Sequence, residues 1–223
     1  MTSDTCQLSP RLPSRLPQVT SAFGRIIDRF TLSSDLFGQK LAKVARGQWS
    51  WPTPCTEWDV RQLVNHMTGG NLNYIRLLNG AAGTEFLRAR DADTLGADPV
   101  SAYTSSVQKC AEAFAQPGAL RRTLDYPLGP VTGQQALAVR TTDTVIHTWD
   151  LARAIRADDT LDTGLVTWIS GSLDEIYAGL AETPAAAKTT HQFFAAPRGM
   201  LPHGASQQDR LLHRMGRRPG RSF

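Results

Sequence analysis

The chain has 223 residues, 41% of them hydrophobic and 20% charged, which allows one domain with a substantial core and excludes a disordered or membrane-like composition. No apolar run approaches the roughly 20 residues of a membrane helix, and the Pro- and Arg-containing start (Arg11, Pro13, Arg15, Pro17) lacks the apolar stretch of a secretory signal, so a cytoplasmic protein with no membrane partner is expected. The net charge of +4 gathers near the termini, but Arg210, Arg214, Arg217, Arg218 and Arg221 lie in a Pro/Gly-punctuated stretch that reads as a solvated tail, not as a nucleic-acid face. Arginines on such a tail could still reach an acidic substrate. Cys6, Cys55 and Cys110 are too far apart for a disulfide framework or a cysteine zinc knuckle and read as reduced thiols.

Residues 1 to about 16 read as a loose arm. Val19, Phe23, Ile26, Ile27 and Phe30 then repeat at helical spacing, with Leu36, Leu41 and Val44 extending the helix to about Arg46. A turn-rich stretch follows to Cys55. A second helix is expected to start at Thr56, with Asp59 in its first turn and Val60, Leu63, Val64 and Met67 on its apolar face. Gly69 and Gly70 either end it or let another helix pack closely, and Asn71 to Leu78 continues it. Residues 80 to 98, rich in Gly, Ala and Asp, read as a long connection.

A third helix is predicted from Pro99 to Ala115, with Tyr103, Val107, Cys110, Ala111 and Phe114 inward. Thr123 to Pro130 reads as a short extended region, Gly133 to about Ile155 as a long helix, and Gly164 to Leu180 as another. The pattern fades after Pro184, and Asp209 to Met215 forms a short last helix docked through Leu211 and Leu212. Helix follows helix, so an antiparallel all-α bundle is expected in place of an alternating α/β fold. The expected organisation is an arm over 1–16, a helical bundle over 17–183 and a C-terminal extension over 184–223 packing on it.

The helix from Gly133 carries the chemistry. Residues four and seven apart share a face, so Asp143, His147 and Asp150 form one stripe, together with Ala136, Val139, Ile146 and Ala154. Ionised carboxylates among apolar neighbours need a cation, a proton or water. Asp143 and His147 at i, i+4 have suitable spacing for two ligands of one ion, and His66 on the second helix is the natural third. Periodicity leaves the blander alternatives open: a hydrogen-bonded core histidine for His66 and a surface ion pair for Asp143 with His147.

Two segments bear a resemblance to a known family. Thr53-Pro54-Cys55-Thr56-Glu57-Trp58-Asp59-Val60-Arg61-Gln62-Leu63-Val64-Asn65-His66 resembles the signature TPC-x-x-W-x-V-x-x-L-x-x-H of the mycothiol-dependent maleylpyruvate isomerase N-terminal family, within the DinB-like superfamily. Asp143-Thr144-Val145-Ile146-His147-Thr148-Trp149-Asp150-Leu151-Ala152-Arg153-Ala154 resembles its second signature, D-x-x-x-H-x-W-D-L-A-R-A. Gln208-Asp209-Arg210-Leu211-Leu212 with Gly216-Arg217-Arg218-Pro219 resembles the close of actinobacterial members, so the similarity spans about Val19 to Pro219. The resemblance implies a DinB-like four-helix bundle with a long crossover connection, and a metal triad carried onto His66, Asp143 and His147. Zinc is the expected metal, with nickel and other divalent ions as alternatives. The isomerases of the family carry a further C-terminal domain for which this chain is expected to be too short, and the His191-Gln192-Phe193-Phe194 segment departs from the pattern.

Among the remaining residues, Asp150 is expected to orient a ligand or to bind as a fourth group; the alternative is a buried ion pair, for example with Arg153. Trp58 and Trp149 read as core, and Cys55 as a packed turn residue. His191, His203 and His213 read as peripheral, with His191 able to reach the site mouth as an acid or base. Three protein ligands leave a position open for a small-molecule substrate. A thiol deprotonated there, mycothiol by resemblance, would give S-transfer or thiol-assisted isomerisation. The alternatives are Lewis-acid isomerisation or cyclisation of a specialised metabolite without a thiol, and a non-catalytic metal-binding protein. Homodimerisation is left open.

Overall fold

Side-chain caps with local causes set where most of the long helices begin. The computed structural model describes residues 23–56, 58–89, 92–180, 200–201 and 203–220. Helix α1 (Ile26–Leu41) turns Ile26, Phe30, Phe37 and Leu41 inward. In α2 (Val60–Leu78), Asp59 accepts from the Gln62 backbone N–H while the Gln62 side chain accepts from the Asp59 N–H. A short α3 (Gly83–Ala89) follows, then α4 (Pro99–Ala115), started by an Asp98 cap with Pro99 in its first turn. Thr132 caps α5 (Gly133–Ala154) and Asp162 caps α6 (Thr163–Ile176). The last helix is α7 (Gln207–Arg214), with Ser206 and Asp209 as its capping box.

The four helices α1, α2, α4 and α5 pack as a ring, in which α1 touches α4 and α5 and α2 touches the same two. Helix α6 packs on α5, and α7 on α6. An antiparallel hairpin of β1 (Thr123–Tyr126) and β2 (Gly129–Thr132) leads into α5, with Thr123 opposite Thr132 and Tyr126 opposite Gly129. The fold is all-α apart from this hairpin. No helix among the described residues is long and apolar enough to cross a membrane.

Helix α5 is buried on nearly every side, yet it carries Thr141, Thr142, Thr144 and Thr148. Each hydroxyl donates to the carbonyl four residues earlier: Leu137, Ala138, Arg140 and Thr144 respectively. The hydroxyls are thereby satisfied within the helix, and the methyl groups are free to pack. This lets a polar-looking sequence occupy the centre of the bundle.

Several expectations need correction. Helix α1 ends at Leu41, short of Arg46, and Ala45 leads instead into a single 3-10 turn, Arg46–Gln48. Thr56 does not cap α2. The stretch before it is pinned as a loop by Thr53, whose hydroxyl donates to the Cys55 and Trp58 carbonyls, and by a Pro52–Asp59 bridge that keeps Asp59 extended. The connection over residues 80 to 98 contains α3, because Asp125 accepts from the Gly83 N–H and Phe86 packs against Tyr74 and Tyr126. Helix α6 stops at Ile176 instead of Leu180. The N-terminal arm and Cys6 lie outside the described residues.

The fit at the start of α5 is tight. A Cβ on Gly133 would collide with the Ala119 backbone carbonyl, whereas one on Gly38, inside α1, would meet only ordinary contact with Tyr103 at 3.8 Å. Gly133→Ala is therefore expected to lower unfolding free energy by about 1–3 kcal/mol. Gly38→Ala is expected to raise it by roughly 0.5–1 kcal/mol by removing backbone freedom from the unfolded chain. Urea denaturation of the two variants beside the parent measures both signs.

Candidate functional site

Helices α2 and α5 bring His66, Asp143 and His147 together. Asp143 meets each histidine with a different oxygen: Oδ2 lies 3.2 Å from His66 Nε2, and Oδ1 lies 3.2 Å from His147 Nε2. The three donor atoms fall within 4.8 Å of one another. Tetrahedral zinc with bonds of about 2.0–2.1 Å spaces its ligand atoms roughly 3.3 Å apart, and each N···O separation here is close to that value, with Asp143 offering one oxygen to each imidazole. The His147 side chain is 5% exposed, while those of His66 and Asp143 are 23% and 20% exposed. The site thus opens on the His66–Asp143 side.

Each of these groups is held from behind. Asp150, fully buried, contacts His147 Nδ1 through Oδ2 at 2.9 Å. That bond fixes the ring plane and leaves Nε2 facing Asp143. The Trp58 ring stacks on His66, with centroids 4.5 Å apart and planes 28° apart, and lies 5.6 Å from the His147 ring. Arg140, itself 1% exposed, donates from Nη1 to Asp143 Oδ2 at 2.6 Å, from Nε to Asn71 Oδ1 at 2.8 Å, and from Nη2 to the Met67 carbonyl. Asn71 in turn donates to Ser106 Oγ, which donates to the Tyr103 carbonyl.

The electrostatics follow from burial and pairing. Burial draws the His66 imidazole down to about 4, against the opposing pull of Asp143. Burial lifts the Asp143 carboxyl, but His147 and His66 together hold it well below the usual carboxylate range. Burial also depresses His147, yet Asp143 and then Asp150 raise it well above an ordinary histidine. For Asp150 the lift from burial is outweighed by Arg217 and His147, which keep the carboxyl low.

A second group of donor atoms, Cys55, His147 and Asp150, shares His147 with the first. Its cation is already present. The Arg217 guanidinium lies 2.5 Å from Asp150 Oδ2 and 3.2 Å from Cys55 Sγ. In the His66 set, Arg140 engages one Asp143 oxygen, Oδ2, while Oδ1 faces His147 Nε2.

The sequence stripe brings Asp143, His147 and Asp150 to one place, and His66 joins them from α2. Trp149 is buried core, and Cys55 sits in the loop before α2 beside Asp150. Asp150 pairs with Arg217 and not with Arg153, which reaches Asp159 and lies over the Trp149 ring. Arg217, expected in a solvated tail, is 7% exposed. His203 is exposed, and His191 lies outside the described residues.

Sequence reasoning missed Arg140 and Arg217, and it read Trp58 as core although its half-buried ring covers His66. A signal for Arg140 existed. It stands three residues before Asp143 on a helix with buried neighbours, opposite Gly70, where a Cβ would come within 2.7 Å of Arg140 Nη1. Gly70 makes room for a guanidinium, not for a helix backbone.

The family model described as the mycothiol maleylpyruvate isomerase N-terminal domain matches residues 30–152. Two uncharacterized proteins of Mycobacterium tuberculosis, from strains CDC 1551 and H37Rv, are each 36% identical over 133 residues, covering 60% of this chain and 69% of the relative. The crystal structure of the mycothiol-dependent maleylpyruvate isomerase superposes with a TM-score of 0.54 at 13% identity, covering 68% of this chain and 69% of that one, which establishes a shared fold.

Arg140→Met would leave Asn71, the Met67 carbonyl and Asp143 without their shared donor. Removing one partner of a buried pair costs about 3–5 kcal/mol, so a loss near the lower figure is expected given the partial exposure of Asp143. Chemical denaturation of the metal-free variant measures it.

Proposed function

We propose a function from the premise that this chain belongs to the mycothiol maleylpyruvate isomerase N-terminal domain family. On this reading it is a divalent-metal enzyme that activates a low-molecular-weight thiol, mycothiol, for S-transfer or for thiol-assisted isomerisation of a small electrophile. The observation that carries the reading is the convergence of His66, Asp143 and His147 from two helices at spacings suited to one ion. Two imidazoles and a carboxylate suit zinc, with nickel next. When bound, such an ion supplies Lewis acidity that favours the thiolate over the thiol at neutral pH.

The chain's own side chains do the rest. His66, Asp143 and His147 hold the ion and leave a position free for a small molecule. Asp150 sets the orientation of His147, and Arg140 holds Asp143 Oδ2, which leaves Oδ1 the less engaged oxygen. The Trp58 face covers one side of the His66 ring and keeps water from it. Entry is from the partly exposed His66–Asp143 edge.

The purified protein is expected to carry a divalent ion by elemental analysis, and His66→Ala and His147→Ala are expected to lose it. Asp150→Asn retains all three ligands and should weaken metal binding by about 10–100-fold. Mycothiol should bind the loaded protein in calorimetry and shift the visible spectrum of a cobalt-substituted sample. Unchanged metal content in both histidine variants would sink the metal reading. Bound metal with no response to millimolar thiol would move the reading to Lewis-acid chemistry on a substrate carbonyl.

A further inference from the structure

We infer that Arg217, delivered by the segment after α7, is a positioning residue for the metal site and acts through Asp150 on His147. The inference rests on the metal reading above and adds a component from outside the region that the family model matches, residues 30–152.

The delivery is built into the end of α7. Gly216 takes φ +75, and its N–H donates to the His213 carbonyl at 2.9 Å. The Arg217 N–H then donates to the Leu212 carbonyl at 2.8 Å. These two bonds with a left-handed glycine between helix and arginine are a Schellman ending, which fixes the direction in which the next side chain leaves the helix. The helix is itself anchored. Leu211, Leu212 and Met215 are buried in the main core. The Gln208 side chain accepts from the Leu161 N–H and donates to the Asp159 carbonyl, both in the loop that follows α5.

The Arg217 side chain meets Asp150 as a fork, Nε to Oδ1 at 3.2 Å and Nη2 to Oδ2 at 2.5 Å. Its Nη1 donates to the Met215 carbonyl at 2.9 Å, and Nη2 also contacts Cys55 Sγ. A two-point fork fixes the plane of a carboxylate, which a point charge would not do. The oxygen that Arg217 holds most closely, Oδ2, is the one that meets His147 Nδ1 at 2.9 Å. Arg217 therefore sets Asp150, Asp150 sets the His147 ring, and the ring aims Nε2 at the candidate site. Asp150 has no exposed surface on which water could take the place of the guanidinium.

The test uses the full chain with Arg217→Met, Arg217→Lys, Asp150→Asn and the Arg217→Met/Asp150→Asn pair. Zinc affinity is measured by chelator competition at a temperature where circular dichroism shows each variant folded. Arg217→Met is expected to weaken zinc binding by about 10–100-fold, as loss of an orienting partner does. It should also shift the cobalt spectrum. Arg217→Lys should recover part of the affinity, and the pair should be no weaker than Asp150→Asn alone. A purely structural arginine would lower the melting temperature and leave zinc affinity unchanged in folded protein, which would overturn the inference.

The metal-free state supplies a second readout, nitrogen-15 chemical shifts of the His147 ring. They should move in Arg217→Met and return toward the parent in Arg217→Lys, and an unmoved ring would also overturn the inference. If the parent binds no zinc, the metal reading fails, and the ring shifts still decide whether Arg217 positions His147.

Discussion

His147 has a carboxylate against each ring nitrogen, Asp143 at Nε2 and Asp150 at Nδ1, in a place that water barely reaches. Two carboxylates there cannot remain ionised without cationic partners. Each has one. Arg140 serves Asp143 from one turn earlier on the same helix, and Arg217 serves Asp150 from the far end of the chain. Much of the surrounding structure follows from housing those two guanidiniums. Gly70 is bare so that Arg140 can lie against α2. Asn71 and Ser106 are buried polar groups because they continue the chain of donors begun at Arg140.

The same constraint places α5 at the centre of the bundle. Its two carboxylates and one histidine need protein on several sides, and a helix buried all round supplies that only if its own polar groups are satisfied. The threonines do this by bonding back to their own helix. A row of aliphatic residues at those positions would pack as well. Thr144 and Thr148, next in sequence to Asp143 and His147, are buried with no orphan hydroxyl.

What was legible in the sequence was what local chemistry decides. The limits read for helix α4 and for the start of α5 match those observed, where Asp98 and Thr132 cap the helices through bonds that act within four residues. The Asp143–His147–Asp150 stripe was legible because one helical period sets it. Contacts distant in sequence produced the errors. Thr56 and Asp59 are both good caps, and the choice between them is made by the loop that Thr53 closes on Trp58. Helix α3 depends on Asp125 and on aromatic contacts with Tyr74 and Tyr126. The terminal arginines looked alike, and only the fold separates Arg217 from Arg218, its exposed neighbour. A clue was present in Gly216, a helix-ending glycine directly before Arg217, whereas Arg153, three residues after Asp150 on the same helix, looked the nearer partner until the fold turned it to Asp159.

The charges around His147 also bear on what the site would accept. Asp143 and Asp150 contribute two negative charges, and Arg140 and Arg217 contribute two positive ones. Ligation requires neutral imidazoles, and with those the four charged side chains sum to zero. On the proposed reading a divalent ion then leaves the cluster with an excess of positive charge in a poorly hydrated setting, where the excess is weakly screened. An anion in the remaining position offsets that excess, and a neutral ligand does not. A thiol that gives up its proton on binding meets this need, as does a substrate carboxylate. Had Asp143 and Asp150 stood without their arginines, a divalent ion would have been neutralised by the protein alone, and the preference for an anionic ligand would be lost. On that reading the two arginines hold the carboxylates in place and also keep the bound ion from being neutralised by the protein alone.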